Sequence, residues 1–378
     1  MLSSILNISG LLDVIRFVVV LSVLVLVHEL GHFLAARKNG IWVEEFGIGF
    51  PPRVWGKKVG ETLYSVNLIP LGGFVRLHGE QTEEGVTKPE RAFINKSKKV
   101  RFFVLVAGVL MNFLLAVLCF SVYYSFVGVP RKTGEVLISA IIPGSPADQA
   151  GLKPSEVIVS AGGIKINSVT QFSEIVQLRK GTEMAIEVQP DGGGNLKTVN
   201  ITPRVDVPQN EGPLGVLISD TELYFPVWWQ RPFLGIYYGI GDALYWGGQI
   251  VSGLYLMVRN LFMGTAPKDI AGVVGIYAMT TEVAKLGVLE LVNFVGIISV
   301  NLAIVNFLPI PALDGGRFIF IIIERVFGKK VVPKVEAAIH GAGMIALLSL
   351  FALITFVEVR RLVSAGGSLQ GFLENTLK

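Results

Sequence analysis

The sequence predicts a polytopic α-helical membrane protein with about four transmembrane helices, a membrane-associated β-hairpin on the cytoplasmic side and an extracytoplasmic α+β domain. Three observations lead there. The 378 residues are 51% hydrophobic and only 16% charged, whereas a soluble domain is nearer a quarter charged. Four apolar stretches reach the roughly 20 residues that a helix needs to cross the hydrocarbon. Lys and Arg gather in two of the connections between them, and connections rich in Lys and Arg stay cytoplasmic.

Taken in order, residues 1–36 hold the first span, with its apolar heart from Phe17 to Val27. Its first dozen residues carry no Lys or Arg, and no small-residue cleavage pattern follows. It therefore reads as a retained span and not as a signal peptide. The connection 37–99 carries Arg37, Lys38, Arg53, Lys57, Lys58, Arg76, Lys96, Lys98 and Lys99, with Arg101 just beyond. Trp42–Phe50 and Leu63–Ile69 read as strands separated by Pro51-Pro52 and Gly60, which predicts the hairpin. A polar stretch from Glu80 to Glu90 follows. The second span is 100–128. In 130–206, short β-rich runs (Val136–Ile142, Val157–Ser160, Met184–Gln189, Thr198–Thr202) alternate with turns, and Val169–Leu178 has a helical face of Phe172, Ile175 and Val176. Within the linker 207–290, the chain from Pro226 to Gly287 is apolar and rich in Gly and aromatics, which predicts amphipathic helices lying at the outer membrane surface.

The third apolar stretch, 291–324, is too long for one plain span and contains Pro309 and Pro311. It predicts a helix, an unwound turn and a second helix; unwound backbone at membrane depth must be buried or line a cavity. A link with Arg325, Lys329, Lys330 and Lys334 leads to the fourth span, 337–358. Both basic connections then lie inside, and both termini and the 130–206 domain lie outside. The net charge of +4 is modest, and no nucleic-acid partner is expected. The lone Cys119 excludes an internal disulfide and reads as a small buried apolar residue.

The chemistry concentrates in His28-Glu29-Leu30-Gly31-His32. On a helix, residues four apart share a face, so both imidazoles can reach one metal ion, and Glu29 beside them can act as a general base. The chain has only four His, and ionisable groups inside a span are costly and functional by default. Catalytic zinc needs a third protein ligand. Asp314 is the candidate, in Asn306-Phe307-Leu308-Pro309-Ile310-Pro311-Ala312-Leu313-Asp314-Gly315-Gly316; its plainer role is a helix N-cap. His28, His32 and Asp314 all fall near the cytoplasmic ends of spans running in the same direction. His78 and His340 belong to no ligand-spaced pair and read as loop or interface residues. Asn112 and Asn306 are buried amides with two open roles, bridging helices or hydrogen-bonding a substrate backbone. The strand containing Gly47 and Gly49 is the expected place for an unwound substrate to add as a β-strand.

The pair formed by HELGH in the first span and NFLPIPALDGG in the third resembles the site-2 protease family of intramembrane zinc metalloproteases, in particular the bacterial regulator-of-sigma-E type with a single PDZ domain. Gly72-Gly73-Phe74-Val75-Arg76 and Ser299-Val300-Asn301-Leu302-Ala303 extend the match. The resemblance implies that His28, His32 and Asp314 hold one zinc ion per chain and that Glu29 is the general base. It also implies single-span membrane substrates, such as anti-sigma factors or remnant signal peptides, trimmed first by an upstream site-1 protease in the inner (plasma) membrane. The family's Gly-Pro-x-x-Asn stands here as Gly108-Val109-Leu110-Met111-Asn112, without the Pro. The run from Gly134 to Pro154 is similar to a PDZ domain, with Ser155-Glu156 where Gly-Asp is usual. Two other classes would use parts of this pattern: a membrane metal transporter, and a non-proteolytic PDZ-bearing membrane chaperone. A transporter has no use for a general base, and a chaperone needs neither base nor metal.

The orientation is tested with a reporter that is active only outside the cytoplasm. Fused near Gly194 it is expected to be active, and near Glu84 silent; the opposite pattern would invert the topology.

Overall fold

The computed structural model describes residues 8–80, 86–190, 192–208, 211–264, 271–328 and 332–376. Two compact units result: one formed by the chain up to Phe126 and from Pro232 onward, the other by Val127–Arg231.

In the first unit, helix α1 (Ile8–Lys38) is one uninterrupted apolar run. It stops at Asn39-Gly40. Gly40 takes a left-handed φ of 65°, its N–H donates to the Arg37 carbonyl, and Ile41 N–H donates to the Ala36 carbonyl. That is a Schellman ending, and the reason a Gly follows the basic last turn. Helix α2 (Lys98–Val127) crosses α1 closely. A Cβ on Gly31 would stand 2.3 Å from the Ala107 carbonyl oxygen, so only a small residue lets the two backbones meet. Arg101, expected among the loop cations, is buried in the first turn of α2 and ion-paired with Glu324.

Strands β1 (Val43–Val59) and β2 (Thr62–Leu77) form the predicted hairpin, longer than expected because β1 continues through Pro51-Pro52 to the turn at Gly60. β2 also doubles back. Phe46 pairs with Tyr64 on one side and Val75 on the other, and Gly47 with Ser65 and Phe74. The returning segment runs along α1: Ser22 Oγ donates to the Pro70 carbonyl at 3.0 Å, and Gly72 and Gly73 lie against Val25 and Leu26. Part of the hairpin thus sits at the depth of the first span. Of the polar stretch that follows, 81–85 lie outside the described residues, as do Lys329 and Lys330 of the second basic link.

The second unit carries a sheet of order β7-β6-β4-β3-β8, with β5 paired to β4. Its strands are β3 (Val129–Ile141), β4 (Val157–Ala161), β5 (Ile164–Lys165), β6 (Met184–Gln189), β7 (Lys197–Ile201) and β8 (Val216–Tyr224). Helices α3 (Pro146–Gln149) and α4 (Val169–Leu178) accompany it. α4 starts at Ser168, whose Oγ accepts from Gln171 N–H at 3.1 Å, and it buries Phe172 and Val176 against Ile158, Ile186 and Val188. The unit runs past the expected boundary at 206 because β8 pairs along β3 from Val129 to Ile141.

The rest of 207–290 belongs to the first unit. Helix α5 (Arg231–Phe262) packs on α2 through Gly235, Gly239 and Ala243, one small residue per turn. A Cβ on Gly239 would lie 2.8 Å from the Val117 carbonyl oxygen. Tyr124 OH donates to Asp242 at 2.7 Å. Helix α6 (Val273–Leu286) precedes α7 (Val288–Phe307). The third apolar stretch is broken as the prolines predict: α7, a turn over 308–313, then α8 (Asp314–Phe327). Helix α9 (Pro333–Ser364) and a short α10 (Leu369–Thr376) complete the chain. Among the described residues four helices, within α1, α2, α7 and α9, are long and apolar enough to cross a membrane.

Ser155 adopts φ of 69°, a conformation that favours Gly, and stands where the PDZ resemblance expects one. Ser155→Gly is expected to stabilise the second unit by about 0.5–1 kcal/mol, the relief of the Cβ clash less the added chain entropy. Slower amide hydrogen exchange in β4 and β6 of the full-length protein in detergent would register it; unchanged exchange would mean that Ser155 carries no strain.

Candidate metal centre

His28 and His32 lie one turn apart on α1, both buried at 6% and 8% exposure. The broken third segment brings Asp314, the first residue of α8, to the same point. His28 Nε2 is 2.9 Å from Asp314 Oδ2, His32 Nε2 is 3.1 Å from that oxygen, and the two Nε2 atoms are 3.1 Å apart.

The protons on the imidazoles follow from their other contacts. His32 Nδ1 lies 2.9 Å from the Val104 carbonyl oxygen, which can only accept. Nδ1 therefore carries the proton, and Nε2 presents a lone pair. His28 Nδ1 lies 3.3 Å from the Asn112 side-chain amide, and Asn112 is fully buried. With the amide nitrogen facing the ring, Asn112 Oδ1 is left buried without a partner. With the amide turned over, His28 Nδ1–H donates to Oδ1, and Nε2 is again bare. Two imidazole lone pairs and a carboxylate then converge with no proton between them. With both rings neutral, a metal cation is what makes that arrangement favourable in an apolar surround. Donors about 2.0 Å from a tetrahedral ion stand about 3.3 Å apart, so the observed spacings fit a zinc ion.

The neighbouring backbone is shaped around the rings. A Cβ on Gly108 would stand 2.4 Å from His32 Nε2 and 2.8 Å from His28 Cε1. Ser299 Oγ on α7 donates to the Asn112 carbonyl at 2.8 Å, which ties α7 to α2 beside the site. Glu29 points into a cavity of about 270 Å³ lined also by Val25, His28, Leu302, Asn306 and Asp314. The Val75 N–H, from the returning part of β2, donates to Glu29 Oε2 at 3.0 Å. The carboxylate is held by the hairpin backbone, which the pattern of side chains gave no means of finding. Asn306 lines the cavity, its Nδ2 3.5 Å from His28 Nε2.

The two expected strand-addition residues are not at the cleft. Gly47 is paired on both sides, so the expectation that a strand adds there is corrected. Gly49 lies further along β1, and a Cβ on it would meet the Ile69 and Asn67 carbonyls. His78 lies in the loop after the hairpin, bonded to Glu44 at 2.6 Å.

Residues 16–350 match the model of peptidase family M50. The chain belongs to that family. A Clostridium perfringens protein named as a zinc metalloprotease is 33% identical over 342 residues, covering 89% of this chain and 96% of its own. The zinc metalloprotease RasP of Geobacillus kaustophilus is 29% identical over 428 residues, covering 92% and 98%. A Listeria monocytogenes PDZ domain aligns with 24% of this chain and 95% of its own at 16% identity, with a TM-score of 0.21 that is too low to bear on the fold. This M50 peptidase is accordingly a zinc-dependent peptide hydrolase of the site-2 protease type, and a membrane protein.

Gly108→Ala places a methyl group against both imidazoles. Metal analysis is expected to find well under one zinc per chain, while Gly241→Ala, which points into open space, keeps the wild-type content. Full zinc in Gly108→Ala would show that the rings have room to move.

Proposed function

We propose that this M50 peptidase hydrolyses peptide bonds in the membrane-spanning segments of single-span membrane proteins, with His28, His32 and Asp314 holding zinc and Glu29 acting as general base. The observation that carries the proposal is a carboxylate placed beside three convergent bare donors and fixed by a backbone amide. A metal transporter would have no use for that carboxylate, and a chaperone no use for either.

A bound zinc ion supplies Lewis acidity, which polarises a carbonyl and makes water a usable nucleophile near neutral pH. The chain's own groups do the rest. Val75 N–H occupies Glu29 Oε2, leaving Oε1 to take a proton from the attacking water. Glu29 then delivers that proton to the departing amine nitrogen. Asn306, lining the cleft, is placed to donate to the scissile carbonyl. Asn112 is reassigned from substrate to His28, whose tautomer it sets. A helical substrate hides its carbonyls in hydrogen bonds and must unwind. With Gly47 paired on both sides, the extended chain is better received at Gly72–Phe74, which lie against Val25 and Leu26 beside the cleft; Gly49 follows Ile48, the partner of Gly73.

The basic connections support a site near the cytoplasmic face, and the membrane proposed is the inner (plasma) membrane. The 127–231 unit would then lie outside and screen ectodomains already trimmed by a site-1 protease, by edge addition to its PDZ-like sheet. Anti-sigma factors and remnant signal peptides are the substrate classes that fit.

Purified protein in detergent is incubated with a panel of single-span substrates, with and without a zinc chelator. Glu29→Gln keeps the shape and removes the base. Cleavage is expected to fall by a factor on the order of 10² or more with zinc content unchanged, whereas His28→Ala and Asp314→Ala lose zinc as well. Full activity in Glu29→Gln would sink the mechanism, and zinc lost together with activity in that variant would make Glu29 structural.

A further inference from the structure

The turn that delivers Asp314 holds an unusual residue. Among the described residues only two other than glycine have a positive φ: Ser155 and Ala312, the latter at 83°. A side chain is costly in that region and persists there only where its surroundings impose it. Ala312 lies two residues before Asp314, and α9 supplies the constraint. His340 Nδ1 accepts the Ala312 N–H at 3.0 Å. One turn on, Gly343 lets the α9 backbone rest on Pro311: a Cβ there would be 2.5 Å from Pro311 Cβ and 2.8 Å from its carbonyl oxygen. The His340 ring is itself steadied by Phe320 of α8, 5.6 Å between centroids. The following helix is fitted equally tightly, since a Cβ on Gly315 would be 2.0 Å from the Leu308 carbonyl oxygen. The turn therefore has no slack with which to re-aim Asp314.

We propose that His340 is a positioning residue for the metal site: as the acceptor of the Ala312 N–H, it locks the left-handed turn that aims Asp314 at the two imidazoles. The last span, which supplies no ligand, thereby sets the geometry of the third one. This rests on the reading of Asp314 as a zinc ligand, and the test separates the two.

Zinc affinity is measured on full-length protein by competition with a chromophoric chelator, and site geometry by the visible absorption of the cobalt-substituted protein. His340→Leu keeps an apolar body against Phe320 and removes the acceptor. It is expected to weaken zinc by roughly 10–100-fold, the usual effect of losing a group that orients a ligand, and to alter the cobalt spectrum. His340→Asn returns an acceptor near the Nδ1 position and is expected to stay within a few-fold of wild type. Ala312→Gly, which adopts the same φ without help, is expected to restore much of the affinity in the His340→Leu background. Wild-type affinity and spectrum in His340→Leu, or a loss that neither His340→Asn nor Ala312→Gly repairs, overturns the proposal. If His340→Leu cannot be recovered, His340→Asn alone decides: a spectrum and affinity like wild type support the acceptor role, and a 10-fold loss overturns it. Asp314→Ala is run alongside. Unchanged affinity there removes Asp314 from the site and the premise with it, whereas a loss in Asp314→Ala beside an intact His340→Leu removes only the positioning role.

Discussion

Two imidazole nitrogens and a carboxylate oxygen stand within 3.1 Å of one another among apolar helices. Left alone, such a cluster is repulsive and poorly solvated; a divalent cation turns the same contacts attractive. Much of the first unit can be understood as the means of holding those three groups in place. Gly31 and Gly108 let α1 and α2 approach until the Val104 carbonyl reaches His32 and the Asn112 amide reaches His28. The Pro-broken turn between α7 and α8 brings Asp314 in from a second direction, at a depth where unpaired backbone is tolerated only beside a cavity.

Two ion pairs hold α8 around that point. Arg101 pairs with Glu324, and Arg317, one turn beyond Asp314, pairs with Glu80. A pair as deep as Arg101–Glu324 adds little net stability, because the desolvation cost offsets most of the attraction. Their value here is geometric. They join α2, the segment after the hairpin and α8 at fixed points, with Lys98 Nζ also donating to the Glu324 carbonyl at 2.6 Å.

The hairpin reaches the candidate site. Its returning strand lies along α1 and sets the Val75 amide on Glu29, so the carboxylate is held by the strand that runs beside the cleft. A carboxylate held this way is oriented by a main-chain donor, which costs no side-chain entropy to hold.

Local chemistry made the spans, the zinc motif and the broken third segment legible. Hydropathy is a property of each stretch by itself, His28 and His32 share one helix face whatever surrounds them, and Pro309 and Pro311 break a helix in any context. The Schellman stop at Asn39-Gly40 and the Ser168 cap of α4 are equally local. What the sequence could not contain was partnership across the fold. β8 joins the sheet of the second unit only by pairing with β3, α5 finds α2 through a stripe of small residues, and Gly47 loses its free edge only because β2 doubles back. The partners that finish the site are a carbonyl at Val104, an amide at Val75, the missing side chain of Gly108 and a histidine on the last span that belongs to no ligand pair. Main-chain groups and absent side chains have no signature in a sequence. Tertiary structure decided their roles, because a hydrogen bond or a close backbone approach depends on where two distant segments are brought together, and long-range packing alone determines that.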